Sequence, residues 1–260
     1  MCLRCLIHHA TDDENVPILT PLLLFYHQPA HKKHTENVGG MKSFLYLCDV
    51  IISLCKKTNI TTSYREDLHE RIPMAAIRLF QQKGVKAVRM DDIANHLQIS
   101  KRTLYEIYDN KEDLLLEGIK RTEEIYSREM EEFACKNNDV MRIILHFYEV
   151  KLQQLEYINP LFFTEMTRYH KVDDYLNKIS VEKKQNVLQF FMRGIAEGYF
   201  LPSLNYDIVV RLGEASMNYV MNSKLYEEYP LQEIFKNFVS VLLRGYCTEK
   251  GQRVLDATLF

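Results

Sequence analysis

Past residue 62 the apolar residues recur at the spacing of an α-helix and nowhere alternate with polar ones for long enough to make a half-buried strand. That property restricts the chain to an all-α architecture. Ile72, Ala75, Ala76, Leu79 and Phe80 fall at i, i+3, i+4, i+7 and i+8, the apolar stripe of an amphipathic helix. Gly84 suits the left-handed residue beyond a helix C-terminus, after the polar last turn Gln81-Gln82-Lys83, so this first helix closes at Lys83. Pro73 predicts that the helix either begins near Arg71 or kinks, because an interior proline removes a hydrogen bond.

Two short helices follow. Asp91 to Leu97 has acidic residues in its first turn and Ile93, Ala94 and Leu97 on one face. After Gln98-Ile99, Ser100 is a good N-cap for a third helix running from Lys101 to about Tyr108, with Leu104 inward and Lys101, Arg102, Thr103 and Tyr105 outward. Two short helices joined by a tight turn behind a longer one fit a helix-turn-helix unit, whose second helix lies in the DNA major groove.

The ordered set Ala75-Ala76-x-x-Leu79-Phe80-x-x-x-Gly84, Met90-Asp91-Asp92-Ile93-Ala94 and Ile99-Ser100-Lys101-Arg102-Thr103-Leu104-Tyr105-x-x-Tyr108-x-x-Lys111-Glu112-x-Leu114 resembles the TetR family of transcriptional regulators over about fifty residues. Two positions depart from the family pattern. Gln98 stands where the inter-helix turn usually has Gly, so a left-handed backbone there costs on the order of 1 kcal/mol. Arg102 replaces a usually small residue, which bears on the operator sequence.

The contact chemistry follows from residue type. Ser100, Thr103 and the backbone N–H groups of a helix N-terminus can hold phosphate oxygens, and Tyr105 and Tyr108 can reach the DNA backbone with their hydroxyls. Lys101 and Arg102 can meet base edges, Arg being the better bidentate partner for guanine, so Arg102 is the expected specificity residue. Tyr108 is equally readable as core, and Lys101 as a solvated charge. The resemblance implies that Lys111 pairs with a phosphate. Residues 62–111 carry nine basic side chains against seven acidic ones, a mild bias that implies a handful of phosphate contacts per subunit and makes dimerisation part of the mechanism.

Beyond residue 111 helices are predicted at about 111–135, 139–157, 161–169, 174–199, 206–228 and 231–248, divided by Asn137-Asn138, Asn159-Pro160, Leu201-Pro202 and Pro230. The stripe Leu231, Ile234, Phe235, Phe238, Leu242 and Tyr246, with the preceding helix, resembles the two family helices that pair into a four-helix dimer interface; a core helix of the monomer is the competing reading. Twenty-one of the 29 Phe and Tyr lie after residue 125. The family holds a small-molecule pocket in this domain, and aromatic walls suit an apolar or cationic effector. Phe147, Phe163, Met166, Phe191 and Tyr219 are the ligand-binding candidates, each also readable as core.

A net charge of -2, from 33 basic and 35 acidic residues, leaves no global field to attract nucleic acid, so any DNA binding must be local. Residues 1–62 lack helical periodicity and are read as a leader without assigned function, with Met41 an alternative start. Cys2 and Cys5 with His8 and His9 lack a second ligand pair at zinc-site spacing, so no metal is expected. No apolar run reaches the roughly 20 residues of a membrane span. No Gly-rich phosphate loop, His-Glu-x-x-His or nucleophile elbow follows residue 62, and His146, His170 and Glu165 have no catalytic spacing, so neither enzyme activity nor a cofactor is expected.

The expected organisation is therefore a helix-turn-helix DNA-binding domain at 63–111, a helical ligand-binding and dimerisation domain at 112–250, and a tail at 251–260. The resemblance implies a cytoplasmic homodimeric repressor that binds a pseudo-palindromic operator and answers to a small molecule. A helical protein-protein adaptor is the alternative, and it would leave Thr103, Tyr105 and Lys111 as coincidence.

Overall fold

The computed structural model describes residues 64–259, and the expectations for residues 1–62 lie outside them. The described residues form ten α-helices and one 3-10 turn, with a lone antiparallel bridge between Phe200 and Cys247. This is the expected all-α fold, a helix-turn-helix head followed by a larger helical body.

Helix α1 (Tyr64–Lys83) starts earlier than Arg71 and carries Pro73 inside it. Its inward stripe, Leu68, Ile72, Ala76, Ile77, Leu79 and Phe80, is buried. Gly84 follows at φ 83°, the left-handed stop predicted from its residue type. Helix α2 (Met90–Leu97) opens with the Asp92 carboxylate accepting the Arg89 N–H at 2.7 Å and buries Ile93 and Ala94. Gln98 takes the left-handed turn at φ 56°, ψ 38°, and the strain is offset by two closing hydrogen bonds, Gln98 N–H to Asn95 O (3.1 Å) and Ile99 N–H to Ala94 O (3.0 Å).

Helix α3 (Lys101–Tyr105) is shorter than predicted; the chain turns at Glu106 and Ile107 and buries Tyr108 beside the head core. Its Leu104 is wholly buried, a contribution of about 1.5–3 kcal/mol for a side chain of this size. Helix α4 (Lys111–Lys136) begins at the Asn110 N-cap and runs out of the head into the body, burying Leu114, Leu115 and Ile119 against α1. The two helices approach closely at Gly118, where a Cβ would lie 3.0 Å from both the Pro73 carbonyl oxygen and Ile77 Cβ.

The body comprises α5 (Val140–Leu155), α6 (Leu161–Met166), α7 (His170–Ala196), α8 (Tyr206–Asn222), the 3-10 turn Leu225–Glu227, α9 (Leu231–Tyr246) and α10 (Glu249–Leu259). Among the described residues, two apolar clusters hold the fold together. The larger runs from the head through α6 and into α7, α8 and α9. The smaller is distal and aromatic: Phe191 stacks on Tyr206 at 4.5 Å between ring centres and meets Tyr246 edge-on at 5.4 Å. Most of the tail expected at 251–260 is helical instead. Leu255 anchors α10 in this distal cluster, and Thr248, just before it, donates its hydroxyl to Gly198 O at 2.7 Å.

Candidate nucleic-acid interface and effector cavity

The outward side of α3 is polar because Leu104 alone of its five residues is buried. Ser100 caps it, its Oγ accepting the Thr103 N–H at 3.0 Å and sharing a 2.8 Å hydrogen bond with Thr103 Oγ1. Both hydroxyls expected at phosphates thus first order the helix start. Lys101 Nζ pairs with Asp91 Oδ1 at 2.7 Å and lies 5.9 Å from the centre of the Tyr105 ring, so three exposed groups form one patch across α2 and α3. The Asp91 carboxylate holds the Lys101 ammonium above the ordinary lysine range, so it stays charged. Arg102 is 89% exposed at its side chain and donates through Nε to Glu106 Oε1 at 2.8 Å. That bond leaves the terminal amino groups, which would form a bidentate pair with guanine, without a partner among the described residues.

Tyr108 and Lys111 stand apart from this patch. Tyr108 is buried and packs edge-on against His69 at 6.4 Å between ring centres; burial pushes its phenol up to about 12. Lys111 is half-buried, its Nζ donating to Val88 O at 2.7 Å and sitting 5.8 Å from the Phe80 ring centre. Burial lowers its pKa, with Glu165 and Asp92 opposing the shift. The geometry gives both residues a packing role inside the head.

The body grips the head through α6. Phe162, Phe163 and Met166 are wholly buried in the larger cluster. Glu165 Oε2 accepts the Lys86 N–H at 2.6 Å, next to the left-handed Gly84, and the Asn159 N–H, just before α6, donates to Gln81 O at 2.7 Å. A second tie joins α7 to α4, where the Lys171 N–H meets Glu112 Oε1 at 2.8 Å and Lys171 Nζ meets Asp113 Oδ1 at 2.5 Å.

Within the body, α4, α5, α7, α8 and α9 line a half-open cavity of about 380 Å³. Its wall is mainly apolar, with Tyr126, Phe147, Tyr148, Phe190, Phe191, Phe235 and Tyr246 contributing rings and Ser127, Glu131, Lys183 and Asn186 contributing polar groups. Of the five predicted ligand residues, Phe147 and Phe191 line it. Phe163 and Met166 do not; their stripe on α6 is spent on the head contact. Tyr219 is 66% exposed on the outer side of α8, away from the cavity.

The stripe expected at the dimer interface is likewise turned inward for the most part. Leu231 is core, and Phe235, Leu242 and Tyr246 line the cavity. The faces left outward carry Val241 on α9 and Ile208, Leu212 and Tyr219 on α8, the last three at i, i+4 and i+11.

Residue type alone did not point to Tyr126, Lys183, Phe190 and Tyr246 as cavity wall or to Glu165 as a head contact. The Arg102–Glu106 pair was readable as an i, i+4 ion pair. The Lys101–Asp91 pair was not, since it joins two helices. No group of three or more His, Cys, Asp and Glu able to hold a metal occurs among the described residues, and no described helix is long and apolar enough to cross a membrane.

Residues 72–117 match the bacterial regulatory proteins of the tetR family. The chain is 25% identical over 191 residues to YvaF of Bacillus subtilis (strain 168), an uncharacterized HTH-type transcriptional regulator, covering 70% of this chain and 97% of that one. Solved structures share the fold, two regulators among them. A transcriptional regulator from Saccharomonospora viridis in complex with choline aligns at TM-score 0.56 and 18% identity, over 71% of this chain and 100% of that one. The fatty acid degradation regulator FadR from Bacillus halodurans aligns at TM-score 0.51 and 17% identity, over 71% and 97%.

Proposed function

For a chain that is a DNA-binding transcriptional regulator of the TetR family, we propose action as a homodimeric, ligand-responsive repressor on a pseudo-palindromic operator. The observation that carries this reading is the outward side of α3: Lys101, Arg102 and Tyr105 exposed together on a short helix whose opposite side is fixed by Leu104. Arg102 reads a base edge. Ser100, Lys101, Thr103 and Tyr105 set register on phosphates, and Tyr108 and Lys111 act one step behind them by holding the helix in place.

Dimerisation is supported by the outward apolar side chains of α8 and α9. Four large ones, Ile208, Leu212, Tyr219 and Val241, are all more than half exposed, and a second copy of the same two helices would bury them in an isologous four-helix contact. Two heads then reach successive major grooves about 34–36 Å apart. The half-open, mainly apolar cavity supports a small-molecule effector, as does the choline held by the Saccharomonospora viridis regulator of the same fold. Effector binding alters the head separation through α4, which has its first turns in the head and Tyr126 to Glu131 in the cavity wall.

Fluorescence anisotropy on DNA from the chain's own upstream region, beside scrambled DNA and across a salt series, tests the reading. Sequence-selective, salt-sensitive binding with two subunits per site is expected. Equal weak binding to both DNAs, followed by failure to enrich any site from random DNA, would overturn it in favour of the adaptor reading.

A further inference from the structure

The outward side of α3 is charged, yet its cations do not stand alone. Lys101 Nζ lies 2.7 Å from Asp91 Oδ1 and 3.0 Å from Asp91 Oδ2, and Arg102 Nε lies 2.8 Å from Glu106 Oε1. All four side chains are more than half exposed. Each cation of α3 thus faces a carboxylate of its own chain, and the two pairs together carry no net charge.

Neither carboxylate is needed to start a helix. The α2 start is closed by Asp92, whose carboxylate accepts the Arg89 N–H at 2.7 Å, and the α3 start is closed by Ser100. An acid in the first turn of α2 also suits the helix dipole, a role that Asp92 fills at the same end. The contact that Asp91 adds is the one across to α3.

Two modes of DNA binding respond differently to these pairs. Binding to arbitrary sequence rests on phosphate neutralisation and counterion release, so it scales with the cations on offer. A cation already facing a carboxylate releases fewer counterions, and the carboxylate repels the same phosphate. Base recognition depends on orientation instead: held through Nε by Glu106, the Arg102 guanidinium keeps its terminal amino groups for a base edge.

We propose that Asp91 and Glu106 are positioning residues for operator recognition. By pairing with Lys101 and Arg102 they weaken binding to arbitrary DNA more than binding to the operator, and Glu106 orients Arg102 toward its base. Discrimination of this kind comes from penalising the wrong partner and requires no added contact to the right one. The assignment rests on the reading of α3 as the helix that contacts DNA.

Anisotropy titrations of the full chain across a salt series, on the site it selects from random DNA and on a scrambled duplex, test it. The variants are Asp91→Asn, Glu106→Gln and, as a control, Glu249→Gln. Glu249 pairs with Arg253 on α10, outside the head, and its loss changes the net charge by the same amount. An exposed pair shifts an equilibrium by up to about five-fold, and a dimer holds two copies of it. Each head variant is expected to bind the scrambled duplex about 3- to 20-fold more tightly, with a log-log salt slope steeper by about 1–2, and to gain less on the selected site. Glu249→Gln should change neither. Glu106→Gln should also lower base preference at the position that Arg102→Ala relaxes, which loss of helix stability alone would not do, whereas Asp91→Asn should keep that preference.

Thermal melts identify a variant that does not fold, and the other pair then decides. Unchanged or weaker binding to scrambled DNA in both head variants, or equal gains on both duplexes, would overturn the proposal and leave α3 as the contact helix. A gain of the same size in Glu249→Gln would overturn it too, by making the effect one of net charge. Failure of the unaltered protein to select any site would overturn the underlying reading along with it.

Discussion

Removing the Glu165 carboxylate should loosen the head from the body at one identifiable amide. In the folded chain Glu165 Oε2 accepts the Lys86 N–H at 2.6 Å, and the carboxylate sits where a Cβ on Gly84 would come within 3.1 Å of it. A hydrogen bond to a charged group contributes about 1.5–3 kcal/mol. Lys86 is exposed, so water takes over part of the lost bond, and the lower end applies: about 1–2 kcal/mol, or roughly a 5- to 30-fold change in a local opening equilibrium. Glu165→Ala should therefore raise hydrogen exchange at the Lys86 amide by about that factor, with a smaller rise at Asn159, whose N–H donates to Gln81 O at 2.7 Å. Amides of α1 and α2 that lie within the buried head should keep their rates. Unchanged exchange at Lys86 would refute the reasoning, and so would an equal rise across the whole head, because that would make Glu165 a contributor to global stability only.

Arg102→Ala should relax base preference at one position per half-site by about 1–3 kcal/mol in titrations of base-substituted operators, while a uniform loss on all sequences would make Arg102 a phosphate contact. Gly194→Ala should lower the urea midpoint by the equivalent of about 1–3 kcal/mol or more, because the added Cβ overlaps the ring of the buried Phe200; an unmoved midpoint would show that the ring yields freely. Burial holds the phenols of Tyr108, Tyr175 and Tyr206 up to about 12 against an ordinary value of 10.0. The unfolded chain then loses these protons first, so stability present below pH 10 should fall as pH rises toward 12. In Tyr206→Phe that fall should be shallower in urea titrations on either side of pH 10, after a constant loss of about 1 kcal/mol for its hydrogen bond to Leu201 O.

The head was legible in detail because its signals are local. Gly84 and Gln98 adopt the left-handed backbone their positions called for, Ser100 caps α3, and Leu104 is wholly buried. The turns and the cap depend on residues within about four positions, and Leu104 was readable from its inward place on α3. The cavity was legible only as an aromatic-rich region, since whether a ring faces a cavity, a core or solvent depends on which helices pack beside it. Phe163 and Phe147 are the same residue type on amphipathic helices. One is buried against the head and the other lines the cavity, because α6 packs onto α1 whereas α5 packs beside α7 and α9. Lys111 shows the same limit. A lysine opening a helix looks solvent-facing in sequence, yet the Val88 carbonyl left between α1 and α2 draws its ammonium inward.

The same geometry bears on how the proposed switch is sized. An effector moves the head only by the difference in its affinity for the two arrangements, typically 1–3 kcal/mol for allosteric coupling, about 5- to 150-fold. The ties that resist such movement are of matching scale: Glu165 to Lys86, Asn159 to Gln81, and Lys171 to Glu112 and Asp113 are few, and each is partly open to solvent. The apolar contact of Phe162, Phe163 and Met166 is different in kind, because exposing three wholly buried side chains of this size costs about 1.5–3 kcal/mol each, more than one effector supplies. A switch driven from the cavity must therefore slide or tilt α6 on the head without separating the two. The hydrogen bonds at Lys86 and Gln81 can break and re-form while the buried rings stay buried, which places the moving boundary at the α1–α2 loop.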